Sequence, residues 1–233
     1  MRFHVLVAAT VVAATAAPVA RQTTPPAQNA APYTLVTRDG RRALAVERAG
    51  GQDMFRLDEL AAVFGFTVRE DTLAGGLTIS LDRRTIVLSR GQSLASVGGR
   101  LISLPAPAVR EGRTWLVPVD FVGRALGPIS PTRVDVRKPS RLVIVGDLTV
   151  PRVSVRLDAE DGARARLTFD VDPATPHAVA RQNGRLVVSF EADALDTRLG
   201  AMARSDLVAG VAPEPAAPAV AVALGASGMI RAS

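Results

Sequence analysis

Two stretches of the chain share one pattern of apolar and polar positions. Each contains an apolar strand followed by a short helix with an apolar face, and each ends at glycine: Met54–Gly65 and, 62 positions later, Trp115–Gly127. Apolar residues at i, i+3 and i+4 are typical of a helix with one buried face, and a glycine past its end favours a left-handed stop. Asp58 and Asp120 fall at equivalent places near the two helix starts, where a carboxylate suits the helix dipole. The pattern predicts an internal repeat of strand and helix.

The residues around these helices alternate between apolar and polar in the way that strands do. Leu77–Leu81 and Thr85–Ser89 form one predicted hairpin, and Tyr33–Thr37 and Ala43–Arg48 form another about an Asp-Gly turn. Strands therefore dominate residues 33–147, with one short helix in each half. We predict an α+β domain that contains this internal repeat, within a mainly β chain.

The alternation of period two is clearest in the second part of the chain. It runs through Val153–Leu157 and Ala163–Val171, and a further hairpin, His177–Arg181 with Leu186–Phe190, surrounds an Asn-Gly turn. Four short strands predict a small antiparallel β-sandwich over residues 148–211. A unit of this size without a disulfide has a small core, so we expect it to pack against residues 33–147.

The two ends of the chain differ in composition from these parts. Residues 1–20 are predicted to be a signal peptide, with Arg2 in the positive region and Val5–Ala17 as the apolar region. Residues 21–32 are predicted to be a disordered spacer, and residues 212–233 a Pro/Ala-rich linker or tail. The protein is therefore expected to be exported and to be periplasmic or associated with the cell wall.

Composition restricts the chemistry that the chain could perform. The net charge of +6 comes almost entirely from arginine, because Lys138 is the only lysine, and there is no cysteine. His4 lies in the predicted signal peptide and leaves His177 alone, whereas a catalytic zinc ion needs three protein ligands. No Gly-x-Ser-x-Gly motif is present. We predict no catalytic residues, no cofactor and no metal site.

Arginine is the residue type that suggests a binding surface. Arg152, Arg156, Arg164 and Arg166 lie on the predicted outward faces of adjacent strands and would form a basic patch if those strands pair. Guanidinium groups suit the carboxylates and phosphates of envelope polymers. The alternative is that exposed strand positions are simply charged. Nucleic acid is disfavoured as a partner by the export signal and by the even spread of arginine.

Residues 33–147 resemble the family named for the N-terminal domain of copper amine oxidases. The residues that carry the resemblance are Val97–Ile102, Glu111–Pro118 and the Ala-Leu-Gly ending at Gly127. The resemblance implies a non-catalytic stalk or wall-associated module of exported bacterial proteins. Copper is not expected, because its sites need clustered imidazoles or thiolates.

Residues 148–211 resemble AMIN domains. The resemblance rests on the alternation in Val153–Leu157, Ala163–Val171 and Arg185–Phe190, followed by Ala194 and Leu195. AMIN domains precede N-acetylmuramoyl-L-alanine amidases, which are zinc hydrolases, and also occur on secretin components. The resemblance implies a non-catalytic module that binds peptidoglycan or another anionic envelope polymer. The alternative that it implies is a structural partner of a secretin or pilus machine.

Overall fold

The computed structural model describes residues 28–71, 75–161, 164–199, 206–214 and 217–225. The predicted signal peptide and residues 21–27 lie outside these ranges. The described residues are mainly strand, with two short helices, which confirms the predicted fold class. None of the helices in these ranges is both long enough and apolar enough to cross a membrane.

The first unit of the fold contains twelve of the described strands. They are β1 (Gln28–Thr37), β2 (Gly40–Ala49), β3 (Gln52–Arg56), β4 (Thr67–Asp71), β5 (Gly76–Leu81), β6 (Arg84–Ser89), β7 (Leu94–Val97), β8 (Arg100–Ser103), β9 (Val109–Glu111), β10 (Thr114–Pro118), β11 (Val134–Arg137) and β12 (Leu142–Val145). Helix α1 (Leu57–Phe64) follows β3, the π-helical α2 (Val122–Leu126) follows β10, and a short 3₁₀ turn occupies Lys138–Ser140. Among the described residues these strands form a seven-stranded sheet, β11-β12-β1-β2-β3-β10-β9, and a five-stranded sheet, β4-β5-β6-β7-β8.

The internal repeat is confirmed by the way β3 pairs with β10. The two strands are antiparallel, and Phe55 lies opposite Val117, its equivalent 62 positions later. A residue that faces its own equivalent in an antiparallel pair lies on a local two-fold axis. The axis relates β3 and α1 to β10 and α2, so the two helices follow neighbouring strands of one sheet.

The two helices end differently, and the prediction of a left-handed stop is correct only for the first. Gly65 has φ of 71° and donates its N–H to the carbonyl of Ala61, which is a left-handed cap. Gly127 has φ of −51°, so the prediction of a left-handed stop is wrong there. The chain continues into a turn at Gly127, where an added Cβ would lie 2.9 Å from the Gly123 carbonyl oxygen. Glycine is needed at that position because of close packing.

The main core lies between the two sheets of the first unit. Side chains from the seven-stranded sheet, from the five-stranded sheet and from both helices join one apolar cluster, which includes Phe55, Ile79, Leu60 and Val122. Tyr33 packs edge-on against Phe55, with ring centroids 5.2 Å apart. The i, i+3, i+4 spacing predicted an apolar face on each helix. Both faces contribute to the core between the two sheets.

The second unit contains seven of the described strands. They are β13 (Arg152–Asp161), β14 (Arg164–Asp172), β15 (His177–Gln182), β16 (Arg185–Phe190), β17 (Asp196–Leu199), β18 (Val208–Pro213) and β19 (Ala219–Leu224). In the described ranges they form two sheets, β14-β13-β17 and β15-β16-β19-β18. Most pairs are antiparallel, and β13 with β17 is parallel. Val153, Phe190 and Val220 belong to one cluster between these sheets, as in a small sandwich.

Two predicted boundaries need correction. The spacer prediction is wrong for residues 28–32, which belong to β1; the register shift between Ala30 and Tyr33 accommodates Pro32. The tail prediction is wrong for Ala219–Leu224, which pairs with both β16 and β18. The small alanine and valine side chains of this strand suit a position between two neighbouring strands. The Pro/Ala-rich composition belongs to the short connection between β18 and β19.

The second unit packs against the first, as expected from its size. Val36, Leu142 and Ile144 of the seven-stranded sheet form an apolar cluster with Val150 and Ala194. The units also share hydrogen bonds, including one of 3.0 Å from Arg41 Nη2 to the Asp193 carbonyl oxygen. The contact therefore combines apolar packing with polar bonds.

Candidate functional site

The strands that carry the four predicted arginines do pair with each other. The register of β13 with β14 places Arg152 opposite Asp172, Arg156 opposite Thr168, Arg166 opposite Asp158 and Arg164 opposite Asp161. The condition for a common arginine face is therefore met. The same register places an aspartate opposite three of the four arginines. These Arg-Asp neighbours were not predicted from the sequence.

Carboxylates compensate much of the charge on this arginine face. Arg152 Nη1 lies 3.8 Å from Asp172 Oδ2, and Arg156 Nη2 lies 3.5 Å from Asp170 Oδ2. Exposed pairs of this kind contribute about 0–1 kcal/mol each, so an anionic ligand could displace them at low cost. The surface therefore carries charges of both signs. A binding role for these arginines stays a prediction.

Arg152 also contributes to a buried ion-pair cluster where the two units meet. Asp196 is fully buried, and its Oδ2 lies 3.2 Å from Arg137 Nη1 and 3.7 Å from Arg152 Nε. Arg137 Nη1 also donates to the Val150 carbonyl oxygen at 2.7 Å, and Arg137 Nε lies 3.0 Å from Asp135 Oδ2. Arg137 lies on β11 of the first unit and Asp196 on β17 of the second. The cluster therefore ties the two units together.

A second charged cluster surrounds Tyr33 in the first unit. The Arg141 guanidinium lies 4.4 Å from the centroid of the Tyr33 ring, and its Nη1 is 2.8 Å from Asp53 Oδ2. Arg48 Nε lies 3.3 Å from Asp53 Oδ1. Burial alone would raise the pKa of Asp53, but the hydrogen bonds from Arg141 and Arg48 outweigh it and leave that pKa lowered. Burial raises the pKa of Tyr33 against the opposing charge of Arg141. These groups hold β1, β3 and β12 in register.

The lowered pKa of Asp53 predicts a specific loss of stability in acid. A carboxyl group whose pKa is depressed by folding stabilises the protein above its unfolded pKa, and that contribution is lost as the pH falls through the folded pKa. We expect the Asp53→Asn variant to have a lower free energy of unfolding at neutral pH and a smaller further decrease below about pH 4. Urea denaturation across that pH range measures both quantities. Asp39→Asn, in an exposed turn, is the matched control, and an unchanged acid limb in Asp53→Asn would contradict the prediction.

A cleft of about 370 Å³ lies between the two units. The first unit contributes its β1, β2 and β12 side, including Thr34, Arg41 and Ser140, and the second unit contributes Thr197 and Glu214. Val36, Leu142, Ala194 and Leu195 give the cleft apolar walls. The cleft was missed by sequence reasoning, because the residues on its two sides are between 52 (Leu142 to Ala194) and 180 (Thr34 to Glu214) positions apart in the chain.

The cleft joins groups of different chemistry. Ser140 Oγ is buried and has no hydrogen-bond partner in the part of the chain that the structure describes. Glu214 Oε1 lies 3.2 Å from Arg185 Nη1. In the described ranges, no group of three or more His, Cys, Asp or Glu side chains is arranged to hold a metal ion. Beside its apolar walls, the cleft therefore has polar and charged side chains.

Comparison with known proteins identifies part of the first unit. Neither a curated protein nor a solved structure matches the chain. Of the two resemblances drawn from the sequence, the AMIN resemblance receives no support from a family model. Residues 43–129, from β2 to just beyond α2, match the family model of the copper amine oxidase N-terminal domain, which confirms that resemblance over this stretch of the chain.

Proposed function

We propose that this protein is a non-catalytic, exported module that binds an anionic polymer of the cell envelope, with peptidoglycan as the first candidate. Its role would be similar to that of the N-terminal region of an N-acetylmuramoyl-L-alanine amidase, namely to retain a protein at the wall. The match of residues 43–129 to an N-terminal domain supports the role of a module. The signal peptide predicted from the sequence and the AMIN resemblance support the location.

The observation that carries the proposal is a set of exposed, unpaired guanidinium groups on both units. The set consists of Arg42, Arg83, Arg100, Arg113 and Arg181. In the described part of the chain, these side chains make no hydrogen bond or ion pair. Arg83 and Arg113 lie in hairpin turns, and Arg100 and Arg181 lie on edge strands. Charges spread in this way attract a polyanion without a single specific pocket, and the attraction is screened by salt.

Retention on purified peptidoglycan tests the proposal. The protein should sediment with insoluble peptidoglycan at low ionic strength and be released at about 1 M salt, where the Debye length is only about 3 Å. A variant with Arg83, Arg113 and Arg181 changed to Gln should be released at lower salt than the parent. A variant in which Gln52, Gln92 and Gln182 are changed to Asn is the control, because it alters three polar side chains without changing the net charge.

Three results would count against this function. Absence of sedimentation at low salt would overturn it directly. Crosslinking to an envelope protein, with no retention on peptidoglycan, would favour the alternative of a structural partner in a secretin or pilus machine. Equal retention on double-stranded DNA would show that the attraction is only electrostatic and not specific to the envelope polymer.

A further inference from the structure

We propose that the cleft between the two units binds a short peptide that carries both a free carboxylate and a free ammonium group. This inference rests on the proposed function, because the short peptides of peptidoglycan carry both free carboxylates and free ammonium groups. It assigns the recognition of such peptides to one place in the fold. The arginines on turns and edges would then supply only general attraction to the polymer.

Arg41 is the group that would receive the carboxylate. Arg41 pairs in register with Val36, so its side chain leaves the sheet on the face that packs against the second unit. One of its nitrogens, Nη2, donates to the Asp193 carbonyl oxygen at 3.0 Å, and this bond holds the guanidinium beside the cleft. A guanidinium has five N–H donors, so donors remain for the two oxygens of a carboxylate.

Ser140 provides a second polar contact on the same side of the cleft. Its hydroxyl oxygen is buried and without a hydrogen-bond partner among the described residues. That oxygen has almost no accessible surface, so a ligand could bond it only after the Ser140 side chain turned towards the cleft. Such a bond would remove the penalty of leaving a buried polar group without a partner. The hydroxyl can donate or accept, so it suits either a carboxylate or a peptide group.

Glu214 is the group that would receive the ammonium. It lies just beyond β18 in the second unit, with its side chain 28% exposed, and Arg185 contacts one of its carboxylate oxygens. A carboxylate has about four lone-pair sites, so Glu214 can accept further hydrogen bonds. Arg41 and Glu214 come from different units, so the cleft presents opposite charges from its two sides.

The size and apolar walls of the cleft restrict the ligand further. A volume of about 370 Å³ is near the lower end of the range for small-molecule sites and fits a ligand of a few residues. Ala43, Leu195 and Pro213, which line the cleft and are at least partly exposed, offer contacts to methyl groups. A peptide with small apolar side chains and charged ends therefore matches the cleft best.

Titration of the full protein with alanine tripeptides tests this proposal. Trialanine with free ends should bind, and the tripeptide acetylated at its amino end and amidated at its carboxyl end should bind about 10- to 100-fold more weakly. Forms blocked at one end only should fall between these two. The Arg41→Gln and Glu214→Gln variants should each weaken binding of the free tripeptide by a similar factor. Chemical-shift changes in NMR spectra measure each affinity.

Arg38→Gln is the matched control variant, because Arg38 lies in the turn of the same hairpin and does not line the cleft. It should bind the free tripeptide as the parent does. Equal affinity for free and blocked tripeptides in the parent protein would overturn the proposal, and that comparison needs no variant to fold. Retention of the parent on peptidoglycan together with no tripeptide binding would overturn the cleft assignment and leave the proposed function standing. Tripeptide binding by the parent without retention on peptidoglycan would overturn the proposed function and leave the cleft assignment standing.

Discussion

Replacing Arg137 with Met is expected to lower the free energy of unfolding by about 3 kcal/mol, because Asp196 would be left as a buried charge without its nearest cation. Asp196 is fully buried, and one of its carboxylate oxygens already lacks a hydrogen-bond partner among the described residues. Arg152 approaches the other oxygen only to 3.7 Å and is itself half exposed, so it cannot replace Arg137. Urea denaturation followed by circular dichroism measures the change.

A double-mutant cycle separates this effect from loss of packing. The Asp196→Asn change removes the buried charge, so the double variant Arg137→Met with Asp196→Asn should be more stable than the sum of the single effects by at least about 1 kcal/mol. Arg156→Met breaks an exposed pair with Asp170 and should cost less than about 1 kcal/mol. Equal decreases in the free energy of unfolding for Arg137→Met and Arg156→Met would contradict the prediction that the buried pair stabilises the fold more than the exposed pair does.

The Arg137→Met variant also connects stability with function. Because Arg137 and Asp196 hold the two units together, weakening the pair should alter the cleft that lies between the units. We therefore expect weaker tripeptide binding in this variant, although neither residue lines the cleft. Binding that is unchanged while stability falls would show that apolar packing at Val36, Leu142 and Ala194 is enough to fix the cleft.

Replacing Phe55 with Ala is expected to lower the free energy of unfolding by about 3–5 kcal/mol. Phe55 is fully buried on the local two-fold axis, opposite Val117, and it packs against Tyr33 at a ring distance of 5.2 Å. Its removal leaves a cavity that the surrounding sheets cannot fill, because rigid strands lie on both sides. Fluorescence of Trp115, the only tryptophan, reports the unfolding of this unit.

Leu101→Ala is the control for the loss of apolar volume. Leu101 lies on β8, and 74% of it is exposed, so its truncation should change stability by less than about 0.5 kcal/mol. A loss below about 1 kcal/mol for Phe55→Ala would contradict the assignment of the core to the interface between the two sheets of the first unit.

Local patterning accounts for the parts of the fold that sequence reasoning predicted correctly. The strand-and-helix repeat shows in the sequence because both copies need an apolar helix face and end at a glycine, Gly65 for its positive φ and Gly127 for close packing. Hairpins such as Leu77–Leu81 with Thr85–Ser89 were predicted because their partners are close in the chain. The arginine positions on β13 and β14 were predicted for the same reason.

Contacts between distant parts of the chain account for what was missed. The strand Ala219–Leu224 is Ala- and Val-rich and follows three prolines, so by itself it resembles a linker; pairing with β16 and β18 makes it a strand. The aspartates that neutralise Arg152 and Arg156 become relevant only once the register is known. The role of Asp196 depends on Arg137, which is 59 residues away in the chain.

The sequence alone determined the class of the fold, the repeat and the strand faces, because periodicity is a property of neighbouring residues. The tertiary structure decided which charges are paired, which guanidinium groups stay free, and that Arg41, Ser140 and Glu214 share one cleft. These outcomes depend on the order and register of strands that are far apart in the chain, and no local pattern specifies them.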